Sequence, residues 1–253
     1  MKIKIMDNSH SSSGDRRKVI IIGATSGIGE ALAHLYAKSG YMVGVTGRRL
    51  DRLTAFQHLH LGRAFINQMD LTHPQQAMIQ LEHLIGQMNG VDIIILNAGT
   101  GRINRKLDFA IEAQTIEVNV TGFTALADFA ANYFLKQGHG HLVGISSINA
   151  LRGSNVAPAY AASKAYISSY LQGLRKRFSR SSNNIYVTDI KPGFVETDMA
   201  QGNGLFWVAP VGKAAKQIKT AIDRKKSNCY VTRRWRLIAW LLKFLPESIY
   251  HRI

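Results

Sequence analysis

Short apolar runs alternate with stretches of helical spacing along most of the chain. Residues 18–22, Lys-Val-Ile-Ile-Ile, are apolar at every position after the first and stop at Gly23. A β-branched run without polar alternation predicts a strand covered on both faces, the habit of a parallel sheet. Residues 30–38 then set Ala31, Leu32, Leu35 and Tyr36 on one helical face, and Ser39-Gly40 ends the pattern. The same alternation predicts strands at 42–46, 64–66, 92–96, 141–145, 185–190 and 229–232, and helices at 49–60, 74–88, 110–136, 159–179 and 211–223. Strand and helix in turn predict right-handed βαβ units, hence an α/β fold with a doubly wound parallel sheet. No linker or repeat divides the pattern, so it predicts a single domain over residues 18–232. A polar, flexible segment is expected at 1–17 and a basic, apolar helical extension at 233–253.

Composition narrows the partners. Apolar residues are 46% of the chain, enough for a sizeable core. Lys and Arg number 32 against 16 Asp and Glu, a formal net charge of +16. Such an excess suggests an anionic partner: a phosphorylated cofactor, a membrane surface, an acidic carrier protein or nucleic acid. No nucleic-acid motif accompanies the charge, so nucleic acid is not expected. The single cysteine, Cys229, excludes an internal disulfide and a Cys-based metal cluster and fits a reducing cytoplasm. The nine histidines show no ligand spacing, and no metal is expected. Residues 1–17 lack the apolar core of a signal peptide, and no stretch reaches the ~18 apolar residues of a spanning helix. The expected location is cytoplasmic.

The candidate chemistry falls at strand ends, where ligands of a doubly wound sheet sit. Residues 23–29, Gly-Ala-Thr-Ser-Gly-Ile-Gly, join the first strand to the first helix. Gly23 permits the tight turn, Gly27 lets the backbone approach a pyrophosphate, and Gly29 lets the helix pack close to the sheet. Thr25, Ser26 and Ile28 complete this candidate binding loop, and the helix N-terminus supplies free N–H groups for phosphate. The second strand leads into Arg48-Arg49, where folds that bind NAD often carry an acidic residue for the ribose 2′-hydroxyl. A guanidinium there suits a 2′-phosphate, so NADP(H) is expected, with Arg48 the main contact and Arg49 second. Asp70, followed by Leu71, can accept from an adenine amino group or cap the helix ahead of Pro74, and the sequence leaves both open. Tyr160 and Lys164 lie four apart, about 5–6 Å at Cβ on one helical face. A nearby cation favours the phenolate, so this pair can form an acid/base with a lowered tyrosine pKa.

Gly23, Gly27, Ile28 and Gly29, then Asn97-Ala98-Gly99, Asn119, Ser147, Tyr160 with Lys164, and Pro192-Gly193 occur in that order. With them, the chain resembles the short-chain dehydrogenase/reductase family from about residue 18 to residue 232. Leu96 departs from the pattern, since the family often has a second Asn there. The resemblance implies a Rossmann-type fold and roles for each matching residue. Tyr160 would be the general acid in reduction and the base in oxidation. Lys164 would lower its pKa and hold the nicotinamide ribose. Ser147 would hydrogen-bond the substrate carbonyl, with Ser146 beside it structural. Asn119 would hold a water that relays protons to Lys164. Asn97, Ala98 and Gly99 would line the adenosine and ribose side of the cofactor. Pro192, Gly193 and Val195 would shape the nicotinamide pocket, with Thr197 near the carboxamide or phosphates. Residues 198–209, with Gly202, Gly204, Leu205, Phe206 and Trp207, would form a lid over a lipophilic substrate.

The tail is the least family-like part. Residues 224–253 carry Arg224, Lys225, Lys226, Arg233, Arg234, Arg236, Lys243 and Arg252 against Glu247, a net +7. Trp235, Leu237, Ile238, Trp240, Leu241, Leu242, Phe244 and Leu245 lie among them. A basic helix of this kind can lie in a membrane interface, and it can equally pack on the body or on another subunit. The sequence therefore leads to the expectation of an NADP(H)-dependent oxidoreductase acting on a lipophilic ketone or secondary alcohol, a 3-oxo lipid or a steroid-like molecule. Peripheral membrane contact through the tail and a homo-oligomer go with it. The alternatives are a reductase of 3-oxoacyl chains on a carrier protein and a non-catalytic nucleotide-binding protein.

Overall fold

The computed structural model describes residues 16–180, 184–199 and 206–250. Apart from its last two positions, the expected flexible segment at 1–17 lies outside these residues, as does the middle of the expected lid. Seven strands form one sheet among the described residues: β1 (Lys18–Ile22), β2 (Met42–Gly47), β3 (Ala64–Gln68), β4 (Ile93–Leu96), β5 (His139–Ile145), β6 (Asn184–Pro192) and β7 (Asn228–Val231). Their order is β3-β2-β1-β4-β5-β6-β7, and every neighbouring pair is parallel. The chain reverses its direction of travel between β1 and β4, which makes the ends of those two strands the switch point of the sheet.

The apolar runs are continuous because both faces of the sheet are covered. Val19 and Ile21 of β1 face a layer holding α1 (Gly27–Lys38), α2 (Leu50–Leu59) and α7 (Val211–Asp223). Ile20 and Ile22 face the opposite layer, with α3 (Pro74–Gln87), α5 (Phe123–Gln137) and α6 (Pro158–Phe178). All four side chains are fully buried, and each contributes roughly 1.5–3 kcal/mol by leaving water. β4 repeats the arrangement, with Ile93 and Ile95 on one side and Ile94 and Leu96 on the other.

The helix predicted over 110–136 is three pieces. α4 (Phe109–Ile116) runs into a π-helical turn, Glu117–Gly122, before α5 begins. Gly122 makes the close approach feasible there, since a Cβ on it would lie 2.5 Å from the Leu71 carbonyl oxygen. Such turns re-aim side chains and often mark functional positions; this one carries Asn119.

The tail folds back on the body as α8 (Trp235–Phe244) and α9 (Glu247–Tyr250). Trp235 and Ala239 are buried and pack with Ile148, Phe194 and Tyr230. Arg152 donates through Nε to the Leu242 carbonyl at 2.7 Å and through Nη2 to that of Leu245 at 2.5 Å. These are carbonyls at the helix end that lack an intrahelical donor, and a cation there also suits the helix dipole. Among the described residues no helix is long and apolar enough to cross a membrane.

Candidate active site

The loops after β1 and β4 are stitched together at the switch point. Gly23 and Gly27 have φ of +83° and +57°, backbone that suits glycine. A Cβ on Gly23 would lie 2.6 Å from Ala98 Cα. Asn97 donates from Nδ2 to the Gly23 carbonyl at 2.6 Å, and a Cβ on Gly29 would fall 2.5 Å from that same nitrogen. The Asn97 amide therefore ties the two turns together rather than reaching outward to a ligand. Ile28 packs on the core. Ser26 takes the N-cap position of α1 but makes no side-chain cap hydrogen bond, which leaves first-turn N–H groups for another acceptor.

A cleft of ≈ 530 Å³ opens in front of this loop, lined by Thr25, Ser26, Gly27, Arg49, Arg52 and Thr197 together with the carboxylates of Glu30, Glu196 and Asp198. Arg49 lies along Thr25, with Nε 3.2 Å from Oγ1 and Nη2 2.9 Å from the carbonyl oxygen. Of the two adjacent arginines, Arg49 is the one that lines the cleft, while Arg48 is the one expected from the sequence to make the main contact. Arg48 instead stands near Asp70. Burial raises the Asp70 pKa, but the Thr72 N–H and hydroxyl, at 3.0 and 2.9 Å, and the Arg48 charge bring it below the usual carboxylate value. The helix-cap reading of Asp70 is corrected: it closes a turn onto Thr72, and His73 is the N-cap of α3. Leu71 is buried in the core under Gly122.

Beyond β5, Ser147 caps a short 3-10 helix, its Oγ accepting from the Asn149 N–H at 3.1 Å. Tyr160 stands in the first turn of α6, with Ser147 near enough to its phenol to favour the phenolate. Burial pushes this phenol above its ordinary pKa while Ser147 pulls the other way, and burial wins. The lowered tyrosine pKa expected from Lys164 is therefore corrected for the protein alone. The Lys164 Nζ lies 5.7 Å from the Tyr160 ring centroid and donates to the Ile145 carbonyl at 3.0 Å. Lys164 itself is held down to about 8 by burial, with the Asp189 charge opposing. Both groups are desolvated, so each favours its neutral form more than it would in water.

Asn119 is tied on both ends of its amide. Oδ1 accepts from the Thr100 N–H at 2.8 Å, and Nδ2 donates to the Thr100 carbonyl at 2.7 Å and to Ser163 Oγ at 2.9 Å. Both amide protons are used, so a relaying water would have to donate to its spare lone pair or to its main-chain carbonyl. Gly99 passes close by, since a Cβ there would lie 3.1 Å from Lys164 Nζ and 3.2 Å from Asn119 Oδ1. At the end of β6, Val195 is buried and bridges Ala209, and Thr197 donates to the Val195 carbonyl at 3.2 Å. Thr197 also crosses the glycine loop, with Cγ2 3.0 Å from where a Gly27 Cβ would sit. After Pro192, Gly193 lies under Trp235 of α8, whose indole N–H is buried without a partner among the described residues.

Several residues of the site carry no mark in the sequence. Gly101 lies against the Tyr160 ring, where a Cβ would stand 2.3 Å from Cδ2. Glu112 of α4 accepts from the Ala159 N–H at 2.7 Å, a carboxylate on the first turn of the helix that carries Tyr160. Asp189 takes hydrogen bonds from Ser146 at 2.5 Å and Ser168 at 2.7 Å and pairs with Lys191. Apart from the Asp189–Lys191 pair within β6, each of these links residues far apart in the chain, where local spacing says nothing. Among the described residues no group of three or more His, Cys, Asp or Glu could hold a metal ion.

A family model described as short chain dehydrogenase matches residues 17–205. An uncharacterised oxidoreductase of Mycobacterium tuberculosis is 29% identical over 248 residues, covering 94% of this chain and 97% of that protein. An uncharacterised oxidoreductase of Myxococcus xanthus is 31% identical over 192 residues, 74% of this chain and 75% of its own. In three dimensions, a short chain dehydrogenase/reductase from Burkholderia phymatum, solved in complex with NAD, superposes with a TM-score of 0.81 at 17% identity, covering 90% of this chain and 92% of that one.

Proposed function

The chain belongs to the short-chain dehydrogenase family, and on that premise we propose that it is an NADP(H)-dependent oxidoreductase that reduces a lipophilic ketone to a secondary alcohol, with Tyr160 as the general acid. The observation that carries this reading is the convergence of Tyr160, Ser147 and the buried Lys164 beyond the end of β5.

The residues fit a dinucleotide. The uncapped first turn of α1 and the backbone of Gly27 suit a pyrophosphate, and Thr25, Ser26 and Thr197 add hydroxyls around the same cleft. Arg48 and Arg49 flank the adenosine end, beside Asp70 and Leu71. Arg49 is already braced on Thr25, so little freedom is lost when it meets a phosphate. When bound, the nicotinamide supplies or accepts the hydride. Asn97, Ala98 and Gly99 form the floor of that path, and Pro192, Gly193 and Val195 its far wall.

The protein side of the reaction follows from the pKa directions. A raised Tyr160 pKa keeps the phenol protonated at neutral pH, ready to give its proton to a carbonyl oxygen as that oxygen gains alkoxide character. Ser147 donates a hydrogen bond to the same oxygen, an interaction that strengthens as charge develops. Lys164 offers a cation to the phenolate left behind and a donor to the ribose hydroxyls. In the oxidative direction, the phenolate takes the alcohol proton. Asn119, locked to Thr100 and Ser163, holds the loop and the helix in register.

A lipophilic substrate is supported by the aromatic group beside Gly193. The Phe194 and Phe206 rings lie 5.3 and 5.2 Å from Trp235, and the Trp207 ring lies 6.2 Å from it. The basic surface favours a 3-oxoacyl chain on an acidic carrier as the second reading. Peripheral contact with a membrane from the cytoplasmic side and self-association into a homo-oligomer complete the proposal.

Two outcomes test these assignments. Arg48→Ala with Arg49→Ala should raise the KM for NADPH on the order of 10- to 100-fold, the value of losing charge-assisted hydrogen bonds to a phosphate, and leave the KM for NADH nearly unchanged. Equal losses for both cofactors would mean that the arginines only brace the loop. Gly101→Ala should lower kcat by about 100-fold through displacement of the Tyr160 ring, with cofactor affinity retained.

A further inference from the structure

We propose that the outer face of α8, together with the rim at Phe206 and Trp207, is a docking surface for an anionic lipid bilayer. The helix is apolar on two opposite faces. Trp235, Ile238, Ala239 and Leu242 repeat at helical spacing and turn into the body. Leu237, Trp240, Leu241 and Phe244 repeat at the same spacing on the opposite side, and they are 70, 65, 50 and 70% exposed. A helix that served only to cover the body would be polar on this side. A contiguous apolar stripe with two aromatic rings is more than a monomer in water ordinarily leaves open.

The charges around the stripe say what it meets. With 3.6 residues per turn, Arg236 and Lys243, seven positions apart, share one flank between the two apolar faces. Arg233 and Arg234 stand at the N-terminal end, and all four are exposed. The Arg234 guanidinium lies 5.3 Å over the Trp207 ring. Trp207 and Phe206, 40 and 48% exposed, carry the apolar surface from the end of α8 to the aromatic group beside Gly193. Apolar side chains facing outward with cations along the edge are what an anionic headgroup layer over hydrocarbon requires. A second copy fits less well. A two-fold pair sets the same patch on both partners, and would crowd Arg233, Arg234, Arg236 and Lys243 against their own equivalents.

On this placement the rim of the substrate pocket faces the lipid, and a lipophilic ketone passes into it from the bilayer. That last step rests on the proposed function. The docking itself does not, because it is read without turnover.

The full chain should sediment with vesicles of phosphatidylcholine mixed with phosphatidylglycerol at low salt. It should remain in solution with phosphatidylcholine alone, and high salt should weaken the binding. Trp240→Glu combined with Phe244→Glu should cut the bound fraction at least about tenfold, and Arg236→Glu with Lys243→Glu should remove the preference for anionic vesicles. NADPH binding, followed by fluorescence, should be unchanged in both variants, because none of these side chains touches the cofactor cleft. Equal recovery of the wild type and the Trp240/Phe244 variant, or equal binding to neutral vesicles, would overturn the proposal. So would a wild type that ignores vesicles but forms a larger assembly that the same variant dissociates, which would assign the face to a second copy. Failure of ketone turnover with lipid binding intact would count against the reaction alone.

Discussion

Tyr160→Phe is expected to lower ketone reduction by about 10²- to 10⁴-fold, the range for removal of a positioned general acid, while NADPH still binds. The substitution deletes one oxygen and keeps the ring that packs against Gly101. Folding and the cofactor cleft should therefore survive, which near-native thermal unfolding and fluorescence titration with NADPH would check. The loss should fall on kcat more than on KM, since the proton is transferred in the chemical step and does little for binding. A variant that kept turnover within about tenfold of the wild type would place the acid elsewhere.

The second large effect concerns Lys164. Its pKa is held down at about 8 by burial, so it carries its charge below that pH and loses it as the pH rises through it. A reduction that needs the ammonium should therefore fall above a pH of about 8. Oxidation needs the Tyr160 phenolate, and burial holds that phenol high, so oxidation should gain from its ionisation as the pH rises. Lys164→Met should lower kcat for reduction on the order of 100-fold, comparable to loss of one preorganised charge-stabilising group, and should erase the limb near 8. The pH profile separates this from a packing defect, because a merely loosened site would lose rate at every pH and keep the limb. The profile of kcat/KM for NADPH, which reports the protein before the cofactor binds, is the one to compare with this value.

The sheet was legible because its central strands, Val19–Ile22 and Ile93–Leu96 among them, are β-branched runs buried on both faces. The glycine loop and the Tyr160–Lys164 pair were legible because their spacing is local. Legibility stopped where a contact joins distant segments. The π-helical turn at Glu117–Gly122 is hidden inside a uniformly helical pattern, because what re-aims Asn119 is Thr100 and Ser163 rather than its neighbours. The bracing of Arg49 on Thr25 also carries no local mark. Which of two adjacent arginines reaches the cleft depends on where Thr25 lies across the sheet. The tyrosine pKa went the other way from the sequence argument because loss of solvent outweighs the pull of Ser147 toward the phenolate. Of the habits expected of the tail, packing on the body is the one the fold displays. Its inner face went to the body through Trp235, and its outer face stayed apolar.

The proposed reaction is hydride transfer from NADPH to a lipophilic carbonyl. It is tested most directly by following NADPH consumption by the wild-type protein over ketones of increasing chain length, with alcohol product measured beside it and Tyr160→Phe run as the control. One alcohol should form per NADPH consumed, rates should climb as the ketone lengthens, and NADH should be the poorer donor. Consumption no faster than that of the Tyr160→Phe protein on every ketone would contradict it and leave a nucleotide-binding protein without this chemistry.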